Sequence, residues 1–352
     1  MKKYVNLFVF VFMIGACLSQ GRAQTKSAVS YKNPVVDIAM PDPTVIKAAD
    51  GYFYVYATES TRNVPIMKSK DLVEWTYCNT AFTNKTRPRF EPKAGIWAPD
   101  INYINGKYVL YYAMSVWGGE QTCGIGVATA NSPQGPFTDH GKMFRSNEIG
   151  VQNSIDPSLL QYEGRNYLVW GSFRGIYVIE LTADGLSIMP GAKKKRIAGT
   201  AFEAVYIHKH DDYYYMFASI GSCCQGVKST YKVVVGRSKK VWGPYKDKTG
   251  KPMLKNGYSL VIGANDHFVG NGHGSQIIRD DAGQDWLLYH GFSRSTPENG
   301  RILLLDQIKW NQEGWPYVEG GSPSYETQKA PCLLYTSPSP RDRTRSRMPS
   351  SA

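Results

Sequence analysis

The sequence has no helical signature. Outside its first two dozen residues, no run carries an apolar face at 3.6-residue spacing over several turns, which argues against a helical fold. Cysteine is sparse, six in 352 residues, and no spacing among them suits a zinc site; a chain this long needs no disulfide scaffold. With Cys17 in the N-terminal leader and Cys332 near the C-terminus, Cys78, Cys123, Cys223 and Cys224 remain. They read as buried free thiols, with a vicinal disulfide at the glycine-flanked Cys223-Cys224 pair as the alternative. No apolar stretch is long enough to span a bilayer comfortably.

The start, MKKYVNLFVFVFMIGAC, has a basic end, a short apolar core and small residues, the pattern of an export signal. Two ends are open: cleavage before Gln24, giving a signal over 1–23, or a lipoprotein box at Ile14-Gly15-Ala16-Cys17, ending it at 16. Both predict a bacterial protein outside the inner membrane, whether periplasmic, secreted or lipid-anchored at the surface. The mature chain then has no transmembrane span.

The net charge of +12 suggests a polyanion only until it is located. Half the excess lies in the leader and in the arginine-rich end PRDRTRSRMPSSA. The run Lys193-Lys194-Lys195-Arg196 follows a Pro-Gly turn and reads as solvated surface. A nucleic-acid partner is therefore not expected. The segment 332–352 is rich in Ser, Pro and Arg, lacks any period and reads as a disordered, non-native tail.

Aromatics are abundant, 13% of residues with 24 tyrosines, and they recur in register. Five passages repeat one unit of polar residue, short apolar strand, turn and aromatic strand, beginning at Asp42, Asp100, Asp156, Glu203 and His273. Asp50-Gly51, Asn105-Gly106 and Glu163-Gly164 supply the positive φ that tight hairpins need. A second strand pair follows each passage. Four strands per unit and 50 to 70 residues per unit are about the dimensions of propeller blades. The expected fold is an all-β, five-bladed β-propeller over 33–331, with the five polar starts gathered at its axis.

Three of those starts are carboxylates in apolar or constrained settings: Met40-Pro41-Asp42-Pro43, Ser154-Ile155-Asp156-Pro157 and Phe202-Glu203-Ala204-Val205. Hydrolysis of a glycosidic bond needs a protonated acid at the leaving oxygen and a carboxylate that activates water or attacks the sugar. Trp97 is positioned to stack on a sugar ring, and Asn153 and Ser154 flank the third acid as candidate partners of sugar hydroxyls. His208 and His210 read as solvated turn residues.

The stretches MPDPTV, WAPDI, NSIDPSLL with GSFRGIY, FEAVYI, GSCCQGVKSTYKVVVGRS with GPY, and GNGHG resemble glycoside hydrolase family 43, above all its arabinan-degrading members, from about Asn33 to Pro316. The resemblance implies a five-bladed propeller of inverting enzymes. In it Asp42 is the general base, Glu203 the general acid, and Asp156 the carboxylate that orients that acid and raises its pKa. It implies one calcium or similar ion near the axis, held with the help of His273, and no organic cofactor; Asp100 receives a supporting role. The expected activity is endo-cleavage of α-1,5-linked L-arabinan by a monomer. The alternatives are an exo-acting α-L-arabinofuranosidase or β-xylosidase of the same fold, a non-catalytic glycan-binding surface propeller, and a protein-interaction propeller.

Overall fold

The computed structural model describes residues 25–26 and 29–335; the expected signal and all but the first four residues of the 332–352 tail lie outside them. Residues 26–333 form one compact unit. Five antiparallel sheets follow one another along the chain as the blades of a five-bladed β-propeller. From the axis outward, blade one holds Thr44–Lys47, Phe53–Tyr56, Pro65–Ser69 and Trp75–Thr80. Blade two holds Gly95–Ile104, Lys107–Ser115, Gly124–Ala130 and Thr138–Arg145. Blade three holds Ser158–Tyr162, Arg165–Trp170, Ile176–Glu180 and Lys195–Ala198. Blade four holds Glu203–His210, Tyr213–Ile220, Lys232–Ser238 and Ser259–Ile262. In blade five the inner strand is broken into Phe268–Gly272 and Ile278–Arg279, both paired with Asp285–Ser293; Ile302–Trp310 and Pro316–Tyr317 follow.

The aromatic content follows from this stacking. A middle strand of a blade is covered on both faces, so it needs apolar side chains at odd and even positions alike. Every residue of Asp285–Ser293 is buried, as is every residue of Lys107–Ser115 after the first. Tyr56, Phe82, Tyr112 and Phe137 fill the space between blades one and two, and Tyr111, Phe144 and Trp170 that between two and three. The hairpins turn where glycine was expected to turn them. Ile104 pairs Lys107 and Tyr162 pairs Arg165, so Asn105-Gly106 and Glu163-Gly164 are two-residue loops with positive φ at both positions.

The N-terminal segment closes the ring on blade five. The Asn33 side chain accepts from the Leu305 N–H at 2.9 Å and donates to the Leu305 carbonyl, Val36 bridges Leu303, and Met40 N–H donates to Arg301 O at 2.8 Å. This joins two ends of the chain roughly 270 residues apart and draws Asp42 toward Arg301.

Two expectations are corrected. Cys223 and Cys224 are bonded to each other, which the flexible glycine-flanked turn permits; Cys123 is a buried free thiol and Cys78 a half-buried one. His208 and His210 are not turn residues. They sit on the inner strand of blade four, with the turn following at Asp211-Asp212, and the His210 ring stacks on Trp310 with 3.7 Å between centroids.

Candidate active site

The inner strands share one backbone feature. Asp42, Ala98, Asp156, Ala204 and His273 all adopt left-handed backbone, with φ of 53°, 42°, 55°, 53° and 50°. For a residue with a Cβ this costs about 1–2 kcal/mol, and such conformations persist where surrounding structure imposes them, commonly at functional sites. Here each marks the mouth of a blade. Two residues further on, Thr44, Asp100, Ser158, Tyr206 and Ser275 line a narrow cavity of about 20 Å³ along the axis.

This ring revises the phase of the sequence repeat. Ala98, not Asp100, is blade two's counterpart of Asp42 and Asp156, and Asp100 belongs to the deeper layer with Thr44. Its carboxylate accepts from Gln276 Nε2 (2.6 Å), Asn102 Nδ2 (2.6 Å) and the Leu159 N–H (2.8 Å). Burial pushes it up to about 7 despite these bonds. It ties three blades together below the mouth. In blade four the left-handed residue is Ala204, and Glu203 precedes it at a break in strand register.

Asp42 sits in a cationic nest. Arg301 Nη1 donates to its Oδ1 at 2.7 Å, Thr58 Oγ1 donates to its Oδ2 at 2.6 Å, and His273 Nδ1 lies 3.2 Å from Oδ1. The Asp42 backbone N–H donates to His290 Nδ1 at 3.0 Å, so that ring carries its proton on Nε2, which is buried without a hydrogen-bond partner. Burial alone would raise the Asp42 pKa. Arg301 and His273 override it and hold the carboxyl well below the usual carboxylate range. Asp42 is therefore ionised.

Glu203 lies in the opposite kind of setting. Ser172 Oγ donates to Oε2 at 2.6 Å and the Tyr231 hydroxyl also bonds the carboxylate, yet burial outweighs both and raises its pKa. The negative charge of Asp42 acts in the same direction. Asp156 is likewise raised, first by burial and then by Glu203 and Asp42; it accepts from the Ala204 N–H at 3.1 Å, which ties it to the backbone that carries Glu203. Like charges this close oppose each other's ionisation, so a proton is retained between the two. One carboxylate poised to take a proton and another poised to give one share a single cavity of about 710 Å³.

The cavity walls are partly as expected. Trp97 lines it, edge-on to the exposed Trp117 at 6.2 Å, and Asn153 lines it too, its amide donating to Ser172 Oγ at 3.0 Å. Asn153 thereby steadies the serine that bonds Glu203. Ser154 departs from its expected role at substrate. It is fully buried, its hydroxyl donating to Val151 O and accepting from Trp170 Nε1, because the reversed backbone at Asn153 turns it inward. The Cys223-Cys224 pair forms another stretch of wall.

The sequence reading missed Thr58, Ser172, Tyr231, His290 and Arg301. Ser172 and Tyr231 lie inside the stretches GSFRGIY and GSCCQGVKSTYKVVVGRS, and His290 lies within the fifth aromatic strand, so position could have flagged them. Gly272 shows why Tyr231 sits where it does: a Cβ there would lie 2.2 Å from the Tyr231 ring. Arg301 follows a Gly and carries no sequence signal.

A five-bladed propeller whose funnel gathers an ionised aspartate and a glutamate whose pKa is raised by burial is the framework of a glycoside hydrolase. The chain belongs to glycosyl hydrolases family 43, whose pattern it matches over residues 31–316. It is 37% identical over 290 residues to an extracellular endo-α-(1→5)-L-arabinanase of Bacillus subtilis, covering 78% of this chain and 86% of the relative. It is 36% identical over 307 residues to an extracellular exo-α-(1→5)-L-arabinofuranosidase of Cellvibrio japonicus, covering 79% and 86%. The structure of a Cellvibrio cellulosa α-L-arabinanase complexed with arabinohexaose superposes with a TM-score of 0.74 at 33% identity, covering 83% of this chain and 99% of that one.

Proposed function

We propose that the protein hydrolyses α-1,5-linked L-arabinan within the chain, with inversion at the anomeric carbon. The observation that carries this is the opposite displacement of the Asp42 and Glu203 pKa values, down at Asp42 and up at Glu203, in one open cavity. Asp42 accepts a proton from water as that water attacks the anomeric carbon. Glu203 gives its proton to the departing glycosidic oxygen, and Asp156, bound to the Ala204 N–H, opposes early loss of that proton. Arg301, whose charge holds Asp42 ionised, keeps the base ready. The likeness to an endo-arabinanase supports the substrate, and an exo-acting relative at nearly the same identity sets the alternative. Linear arabinan is expected to give oligomers of several lengths at early times; release of arabinose alone overturns endo action.

The signal-like start and relatives described as extracellular support export. N-terminal analysis of the mature protein should find Gln24 or a lipidated Cys17, and an uncleaved Met1 overturns it.

We also propose an ion at the axis. His273 borders the cavity lined by the Thr44, Ser158 and Ser275 hydroxyls, the Gln276 amide and Asp156, an oxygen-rich set that suits a hydrated hard cation such as calcium. When bound, the ion would supply positive charge beneath the carboxylates. Chelator is expected to lower the melting temperature and calcium to restore it. A melting temperature indifferent to both removes the ion.

A further inference from the structure

A second cluster lies at the far end of blade four. His208 and His210 are two residues apart on Glu203–His210 and so present their rings on one face. Strand rise places His208 roughly 17 Å from Glu203. Asp285, the first residue of its strand in blade five, brings a buried carboxylate to that face, with His210 Nδ1 3.7 Å from Asp285 Oδ2. One donor atom from each of the three lies within 4.8 Å of the other two. His208 Nε2 is buried and bonds to nothing. A buried polar atom left this way costs about 1–3 kcal/mol, and a metal ion would satisfy it.

The surroundings are those of a supported ligand set. Trp310 stacks flat on His210 and its indole N–H donates to Asp285 Oδ2 at 2.8 Å, so one side chain steadies two of the three. Asp211 lies 3.5 Å from His210 Nε2, on the side away from Asp285, the relation in which a carboxylate orients a metal-bound imidazole. Burial also pushes the His208 ring down to about 4, leaving it neutral at physiological pH.

We propose that His208, His210 and Asp285 bind one divalent transition-metal ion of the zinc class, pinning the inner strand of blade four to blade five at the end away from catalysis. Two imidazoles and a carboxylate match zinc-type chemistry and leave a fourth position for water. Calcium, which takes oxygen donors, does not fit two nitrogens. The competitor is Arg279, whose Nε and Nη2 donate to the two Asp285 oxygens at 2.8 and 2.9 Å. Its side chain is 57% exposed and can turn into solvent, so the ion must displace a partly solvated pair.

Chelator-treated full-length protein titrated with Zn²⁺ by calorimetry tests this. One ion per chain is expected, with a rise in melting temperature. His208→Gln and Asp285→Asn should each weaken binding by about tenfold or more, while arabinan hydrolysis reports that the variants are folded. His273→Ala should bind Zn²⁺ like the wild type, which separates this site from the axial one. Removing the competitor with Arg279→Gln should tighten binding. No saturable Zn²⁺ binding, binding lost in His273→Ala and kept in His208→Gln, or an affinity unmoved by Arg279→Gln overturns the proposal; the last variant decides if Asp285→Asn does not fold.

Discussion

Glu203→Gln should lower kcat on arabinan by about 10³-fold, within the range of roughly 10²–10⁴ that a general acid contributes, and leave substrate binding nearly unchanged. The amide keeps the shape of the side chain and can still accept from Ser172, so the cavity has no reason to reorganise. What it loses is the proton for the departing oxygen. An aryl arabinofuranoside with a good leaving group needs little protonation and should lose much less activity. An equal loss on both substrates would remove Glu203 from the acid role. In the parent enzyme, loss of this proton sets the alkaline limb of the pH profile, above the usual carboxylate range because burial raises Glu203.

Asp42→Asn should cost a similar factor, about 10²–10⁴ in kcat, and act on the other limb. The folded-state pKa of Asp42 is depressed, so the carboxylate contributes stability above its unfolded value, which is lost as pH falls through the folded one. Parent and variant should therefore differ most in stability at neutral pH and converge in strong acid. The neutral-pH loss is about 3 kcal/mol, the scale for leaving one partner of a buried ion pair behind, and Arg301 is that partner. Denaturant titrations at several pH values measure it. A difference independent of pH, or activity retained in the variant, would contradict the assignment of Asp42 as the ionised base.

The two variants separate because the carboxylates differ in neighbours, not in type. Asp42 is paired directly with Arg301, whereas Glu203 bonds the Ser172 and Tyr231 hydroxyls and feels His273 against the charge of Asp42. The groups that complete that difference lie outside MPDPTV and FEAVYI: Arg301 reaches Asp42 across 259 residues, and Tyr231 comes from the segment just before Lys232–Ser238 of blade four. The pattern of acids was legible and the family resemblance implied their roles; the side chains that shift their pKa values in opposite directions were not.

Asp100 shows a subtler limit. Its spacing to the next aromatic strand matched that of the catalytic acids, yet Ala98 holds the left-handed turn and Asp100 falls one layer deeper. Side chains alternate along a strand and the inner strand of blade two has a register break between Trp97 and Asp100, so a shift of a residue or two decides which layer a side chain enters. Ser154 turned inward for the same local reason. His208 and His210 were misplaced because a polar, histidine-rich sequence looks like a turn until Trp310 arrives to stack on it.

The sequence by itself determined the hairpins, the five-fold repeat and the three acids, because turn chemistry and strand alternation act over a few neighbouring residues. The tertiary structure alone decided which residues reach the mouth of the funnel, which side chains push the Asp42 pKa down and the Glu203 pKa up, and that Cys223 and Cys224 line the cavity as a bonded pair. Those outcomes depend on strand register at each blade's mouth and on charges brought together across the ring, as Arg301 is brought to Asp42 where residues 33–40 close on the last blade.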